Sequence, residues 1–143
     1  MGLDNNISLK IRDKEKFGGD RLPSWMPREY LEDEGNYPWE ILYWRKCWNI
    51  RDVIFQHLRE NHIRTCDDCE FDMPMSLEVF WDLCVKLEKC YTEKWWNEHN
   101  DSIWSWEEIN GNYKANLMRA CRLVGWLETK DPSSYEIYFC DSY

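Results

Sequence analysis

The sequence predicts an α+β domain, mostly α, with a three-helix core beside a small antiparallel sheet of terminal strands. Three observations carry that reading. Apolar residues recur at steps of three and four over much of 38–127, short alternating runs stand near both ends, and cap-type residues open two of the periodic stretches. At 143 residues the chain is one domain long. It divides into an N-terminal arm, 1–36, with one short strand, and a helical core, 37–143, ending in a second strand.

Residues 7–12 alternate apolar and polar, placing Ile7, Leu9 and Ile11 on one face of a strand. Gly18-Gly19-Asp20 interrupts this pattern, and Pro23 and Pro27 keep 21–36 irregular. Trp25, Met26, Tyr30 and Leu31 are expected to pin the arm to the body. The first helix is expected from Pro38, whose fixed φ suits a first turn, to Glu60, with Tyr43, Cys47, Ile50, Ile54 and Leu58 as its stripe. Residues 61–75 read as a loop with a short strand over 70–73, stopped by Pro74. The second helix starts at Ser76, an N-cap residue, with Leu77, Phe80, Cys84, Leu87, Tyr91 and Trp95 facing inward. Asp82 with Lys86, Lys89 with Glu93, and Lys94 with Glu98 would pair at i,i+4 on its outer face.

The third helix opens with the capping box Ser105-Trp106-Glu107-Glu108 and carries Ile109, Tyr113, Leu117, Ala120, Val124 and Leu127 inward. Asn110-Gly111 is awkward inside it, and a break there with Asn112 recapping is the alternative. Asp131-Pro132-Ser133-Ser134 turns the chain into a last strand, 135–140, expected to pair with 7–12 or with 70–73.

A hydrophobic fraction of 43% and an aromatic fraction of 16% favour collapse into a folded domain. No apolar run reaches the ~18 residues that span a bilayer, and the polar N-terminus lacks a secretory signal. A cytoplasmic protein is expected, and seven cysteines, an odd number, fit that compartment better than a disulfide framework.

The net charge of −9 resides in one stretch. Residues 65–110 hold twelve acids against Lys86, Lys89 and Lys94, while the rest of the chain balances at fifteen each. Five of the ten tryptophans, Trp81, Trp95, Trp96, Trp104 and Trp106, share that stretch. Acids interleaved with amphipathic rings describe a docking face for a cationic protein, and they repel nucleic acid and anionic lipid. The expected partner-binding residues are Asp67, Asp68, Glu70, Asp72, Glu78, Asp82, Trp96, Glu98, Asp101, Trp104, Trp106, Glu107 and Glu108, with Trp96, Trp104 or Trp106 as the desolvated anchor.

One metal candidate exists. His57, His62, Cys66 and Cys69 offer two imidazoles and a Cys-x-x-Cys knuckle of the kind that holds zinc. Against it, a helix continuing through 57–62 would turn the two histidines ~140° apart, and Asp67-Asp68 oppose thiolate formation. Two free loop cysteines is the preferred reading, with no cofactor. Cys47, Cys84 and Cys121 lie on or beside apolar stripes, the ordinary place for a small buried thiol. No serine elbow, glycine fingerprint or shared carboxylate pocket is present, so no enzyme activity is expected.

Tyr43-Trp44-Arg45-Lys46, followed by Ile50, resembles a helix motif in a group of small, uncharacterised bacteriophage proteins. The tail Tyr138-Phe139-Cys140-Asp141-Ser142-Tyr143 is similar as well, and the likeness spans roughly 39–143. Arg51 stands where that group usually has His, and Val53 where it usually has Trp. The resemblance implies phage origin and an α-rich fold, and assigns no reaction. With the acidic face, it leads to an expected function: a non-catalytic phage accessory protein that binds and inhibits a basic host protein, of anti-defence or anti-CRISPR type, competing there with nucleic acid. The alternative is a zinc-stabilised phage structural or regulatory module.

Overall fold

Asn5, Ile7, Leu9 and Ile11 are all buried, and this alternation makes Asp4–Ile11 a strand, β1, with one face turned inward. A computed structural model of the chain describes residues 4–18, 23, 25, 38–65, 72–99 and 104–142. A single helical turn, α1 (Lys14–Phe17), follows β1. The Asp13 carboxylate accepts from the Lys16 amide at its start, and Gly18 ends it at φ 103°, a left-handed conformation that suits glycine.

The next element corrects the expected helix from Pro38. Trp39–Arg45 is a strand, β2, and the helix α2 begins only at Trp48 and runs to Glu60. Between them Lys46 takes φ 56°, turning the chain from strand to helix. Tyr43-Trp44-Arg45-Lys46 therefore sits at a strand end rather than on a helix. Tyr43 and Trp44 point to opposite faces: the Tyr43 hydroxyl donates to Asp4 Oδ1 at 2.7 Å, and Trp44 is buried with its indole N–H on the Tyr91 hydroxyl.

The expected third strand also shifts. Residues 70 and 71 lie outside the described residues; the described strand is Met73–Met75, β3, with Pro74 inside it, tolerated because β3 is an edge strand. The last strand, β4 (Tyr135–Ser142), pairs with both proposed partners. The sheet order is β2-β1-β4-β3, antiparallel throughout. β1 lies inside the sheet between β2 and β4, so residues 4–11 belong to the body of the fold.

An α+β fold with a small antiparallel sheet is thus present, but among the described residues the three-helix core becomes five helices beyond the first turn. The second expected helix splits into α3 (Leu77–Cys90) and α4 (Glu93–His99). Tyr91 leaves the helix to bury its ring, and Thr92 Oγ1 accepts from the Trp95 amide to start the next turn. The third splits at Tyr113 into α5 (Trp106–Asn112) and α6 (Lys114–Leu127), so Asn112 does not recap. Ser76 caps α3 through the Val79 amide, and the Ser105/Glu108 capping box is fully formed. Among the described residues no helix is long and apolar enough to cross a membrane.

Helix α6 packs on β2 and along α3, while α2 lies over β4. Phe55 meets Phe139 edge to face at 5.7 Å. Beside them, Arg51 Nε and Nη2 reach Asp141 Oδ2 at 2.9 and 2.8 Å, with the guanidinium 4.2 Å over the Phe55 ring. Asp141 is fully buried and directly opposite Asn5, whose side-chain amide is buried with no hydrogen-bond partner among the described residues. This ion pair staples the start of α2 to the end of the sheet.

Candidate protein-binding site

Trp81 is the outward neighbour of Phe80. Phe80, Leu83, Cys84 and Leu87 fill the core side of α3, and one residue's rotation, ~100°, carries Trp81 to the rim. Its side chain is 43% exposed. On α6 the same offset from Leu117 leaves Met118 at 66% exposed. The two helices pack side by side, and Trp81, Leu117, Met118 and Cys121 line one groove of about 390 Å³, with Glu88 and Lys114 at its edge. Trp81 and Met118 are two of the three large apolar side chains left exposed among the described residues; the third, Trp48, lies beneath the Arg51 guanidinium at 5.4 Å.

The surroundings are acidic. Glu78, Asp82 and Glu88 are exposed and, by helical rotation, fall within ~120° of one another on the Trp81 side of α3. None of the three forms an ion pair among the described residues. The expected Asp82–Lys86 pair is absent because Lys86 crosses to Glu60 on α2 at 2.8 Å. Glu78 and Glu128 also line an adjoining cleft of about 460 Å³ at the start of α3, and the Lys130 ammonium there is drawn over the Phe17 and Trp126 rings at 4.9 and 5.1 Å.

A larger cleft, about 610 Å³ along α2, is lined by Arg51, Asp52, Phe55, Gln56, Arg59 and Glu60. Its charges are mostly spent: Arg51 on Asp141, Arg59 Nε on the Thr65 hydroxyl at 3.0 Å, and Glu60 on Lys86, which holds that carboxyl below its usual range. Its two arginines are balanced by Asp52 and Glu60.

The expected binding residues separate into three groups. Glu78 and Asp82 are exposed on the Trp81 side of α3, and Asp72 is exposed near Cys140. Glu98, Glu107 and Glu108 are exposed on α4 and α5, which pack together, and the Glu108 carboxylate accepts from the Ser105 amide at 2.7 Å. Asp67, Asp68, Glu70 and Asp101 lie outside the described residues. Of the three expected anchors, Trp96 requires correction. Trp96 is fully buried and donates its indole N–H to the Trp104 carbonyl at 2.9 Å, so no partner reaches it in the folded state. Trp104 is half-buried, donating to the Arg45 carbonyl at 2.7 Å and meeting Tyr113 edge-on at 6.3 Å; Trp106 is half-buried as well. Trp81 and Met118 are the more exposed apolar side chains. Trp81 was visible in the sequence as the indole of α3 that falls off the inward stripe.

For the metal set, Cys66 and Cys69 lie outside the described residues. His57 is buried in α2 with Nε2 2.8 Å from the Val79 carbonyl, which fixes Nε2–H as the donor and ties one ring nitrogen to the core. His62 is exposed just beyond the helix at φ 60°. Among the described residues no three His, Cys, Asp or Glu gather to hold a metal.

Cys121 is half-buried and lines the groove, and Cys84 on α3 is fully buried. The neighbouring Cys84 thiol holds the Cys121 thiol below its ordinary range, opposed by partial burial and by Glu88. Burial pushes the Cys90 thiol up to about 11. No family model, curated protein or solved structure matches this chain.

Proposed function

We propose that the protein acts without catalysis, as a bacteriophage accessory inhibitor of anti-defence or anti-CRISPR type working in the host cytoplasm, and that it binds a basic host protein through the Trp81–Met118 groove. One observation carries the reading: two large apolar side chains left in solvent converge on a single groove whose neighbouring carboxylates form no ion pair among the described residues. A monomer gains nothing from exposing an indole there, whereas a partner's apolar side chain would desolvate it. The partner is cationic because Glu78, Asp82 and Glu88 on the Trp81 side of α3 outnumber Lys89 on that side and Lys114 at the groove's edge. Lys and Arg that otherwise hold nucleic-acid phosphates would be occupied by these carboxylates, so the inhibitor and the nucleic acid compete.

The test is affinity capture from bacterial lysate at low salt with mass-spectrometric identification, using wild type, Trp81→Ala and the triple variant Glu78→Gln/Asp82→Asn/Glu88→Gln. The expected result is a nucleic-acid-binding protein of high pI, captured by wild type alone and released by added nucleic acid or by moderate salt. Equal capture by all three proteins, or capture indifferent to salt, would remove the proposal.

A further inference from the structure

We propose that Met118 is a peroxide-sensitive modification site, and that its oxidation to the sulfoxide closes the Trp81 groove to apolar groups. Access decides which thioether reacts. Leu117 turns into the core, and one residue's rotation along α6 leaves Met118 at 66% exposed. The other described methionines, Met73 and Met75 on β3, are buried at 0% and 8%. A small hydroperoxide therefore reaches the Met118 sulfur first.

Position decides the consequence. Trp81, Leu117, Met118 and Cys121 supply the apolar wall of the groove, and Met118 is its most exposed member. A thioether is soft and apolar, whereas a sulfoxide carries a polar S–O bond whose oxygen needs a hydrogen-bond donor. An apolar group laid over oxidised Met118 would strip that oxygen of water and leave it unpaired. The same wall that favours an apolar visitor before oxidation thus opposes it afterwards. Any effect on a protein partner rests on the function proposed above; the reaction at Met118 and the change in the groove do not.

The step balances. The Met118 sulfur donates an electron pair to one oxygen of hydrogen peroxide, an S–O bond forms and the O–O bond breaks. The departing hydroxide takes the proton from the sulfur-bound oxygen and leaves as water. The sulfur is oxidised to the sulfoxide and the peroxide is reduced.

The test treats the full-length protein with dilute hydrogen peroxide and follows two readouts in time, neither of which uses a host protein. The first is oxygen gain by peptide mass: trypsin isolates Met118 in 115–119, apart from Met73 and Met75 in 65–86, Met26 in 22–28 and Met1 in 1–10. The second is fluorescence of the neutral apolar dye Nile red in wild type, Trp81→Ala and Met118→Leu, the last a volume-conserving change at an exposed position. Peptide 115–119 should gain one oxygen well before 65–86, and dye fluorescence should fall in step toward the Trp81→Ala level. Met118→Leu should keep its dye signal through the same treatment. Oxidation of 65–86 as fast as 115–119, or confined to Met1 or Met26, overturns the proposal. A wild-type dye signal that peroxide or Trp81→Ala leaves unchanged overturns it too, as does an equal peroxide loss in Met118→Leu. Failure of the partner-binding reading would show instead as equal host-protein capture by wild type and Trp81→Ala.

Discussion

Arg51→Met should be among the most damaging single substitutions in this protein, and its cost follows from what it leaves behind. Asp141 has no exposed surface, and both contacts to its Oδ2, at 2.9 and 2.8 Å, come from Arg51. Removing the guanidinium strands a carboxylate among Asn5, Phe55 and Phe139, and breaking a buried pair in this way costs about 3–5 kcal/mol. Against a typical total of about 5–15 kcal/mol, the variant would be close to unfolding. Asp141→Asn should cost less, because Arg51 keeps the faces of Phe55 and Trp48 at 4.2 and 5.4 Å. The double variant Arg51→Met/Asp141→Leu removes both charges and should return to within about 1 kcal/mol of wild type. Urea unfolding followed by tryptophan fluorescence and circular dichroism gives the four free energies of the cycle. Strictly additive costs, or an Arg51→Met cost below about 1 kcal/mol, would refute the claim that this ion pair staples α2 to the sheet.

Two further outcomes are expected. Gly125→Ala places a methyl in open space near the end of α6, where nothing lies within 4 Å. It should stabilise by about 0.5–1 kcal/mol in a thermal or urea melt, with loss of stability counting against the α6 backbone described above. All five described tyrosines are shifted upward, Tyr43 to about 12 through burial first and then its bond to Asp4. The folded state thus keeps phenol protons that the unfolded chain loses near pH ~10, so stability should be intact below that value and decline as pH rises toward 12. Phenolate absorbance of the folded protein rising with a midpoint near 10 at Tyr43, isolated by comparison with Tyr43→Phe, would contradict this.

Local signals were legible wherever the deciding chemistry is local. Ser76 and the Ser105/Glu108 box mark helix starts in the sequence and in the structure, and the alternation of 7–11 and 135–139 survives as β1 and β4. Trp39–Arg45 was not legible because a bulge scrambles its alternation. Ile7 faces Leu42 while Ser8 faces Glu40, leaving Ile41 as an extra residue, and Ile41 and Leu42 are both buried. Adjacent apolar residues then mimic a helical stripe, and only pairing with β1, more than thirty residues away, decides for strand.

The candidate site shows the same division. Trp81 falls off the stripe of its own helix by simple rotation, and the acids beside it are plain in the sequence. Its meeting with Met118 is a tertiary fact, set by how α3 packs on α6. Trp95-Trp96 could not reveal which ring turns inward; the Trp104 carbonyl, which accepts the Trp96 indole N–H, settles it.

The central claim, that the Trp81 groove and its carboxylates form the contact surface, is tested most directly by calorimetric titration of the purified captured protein with wild type and Trp81→Ala at two ionic strengths. The account predicts about 30-fold weaker binding for Trp81→Ala, the equivalent of about 2 kcal/mol at a buried indole, and a marked loss of wild-type affinity at the higher salt. Affinity unchanged by the substitution and by salt would place the contact surface elsewhere on the molecule.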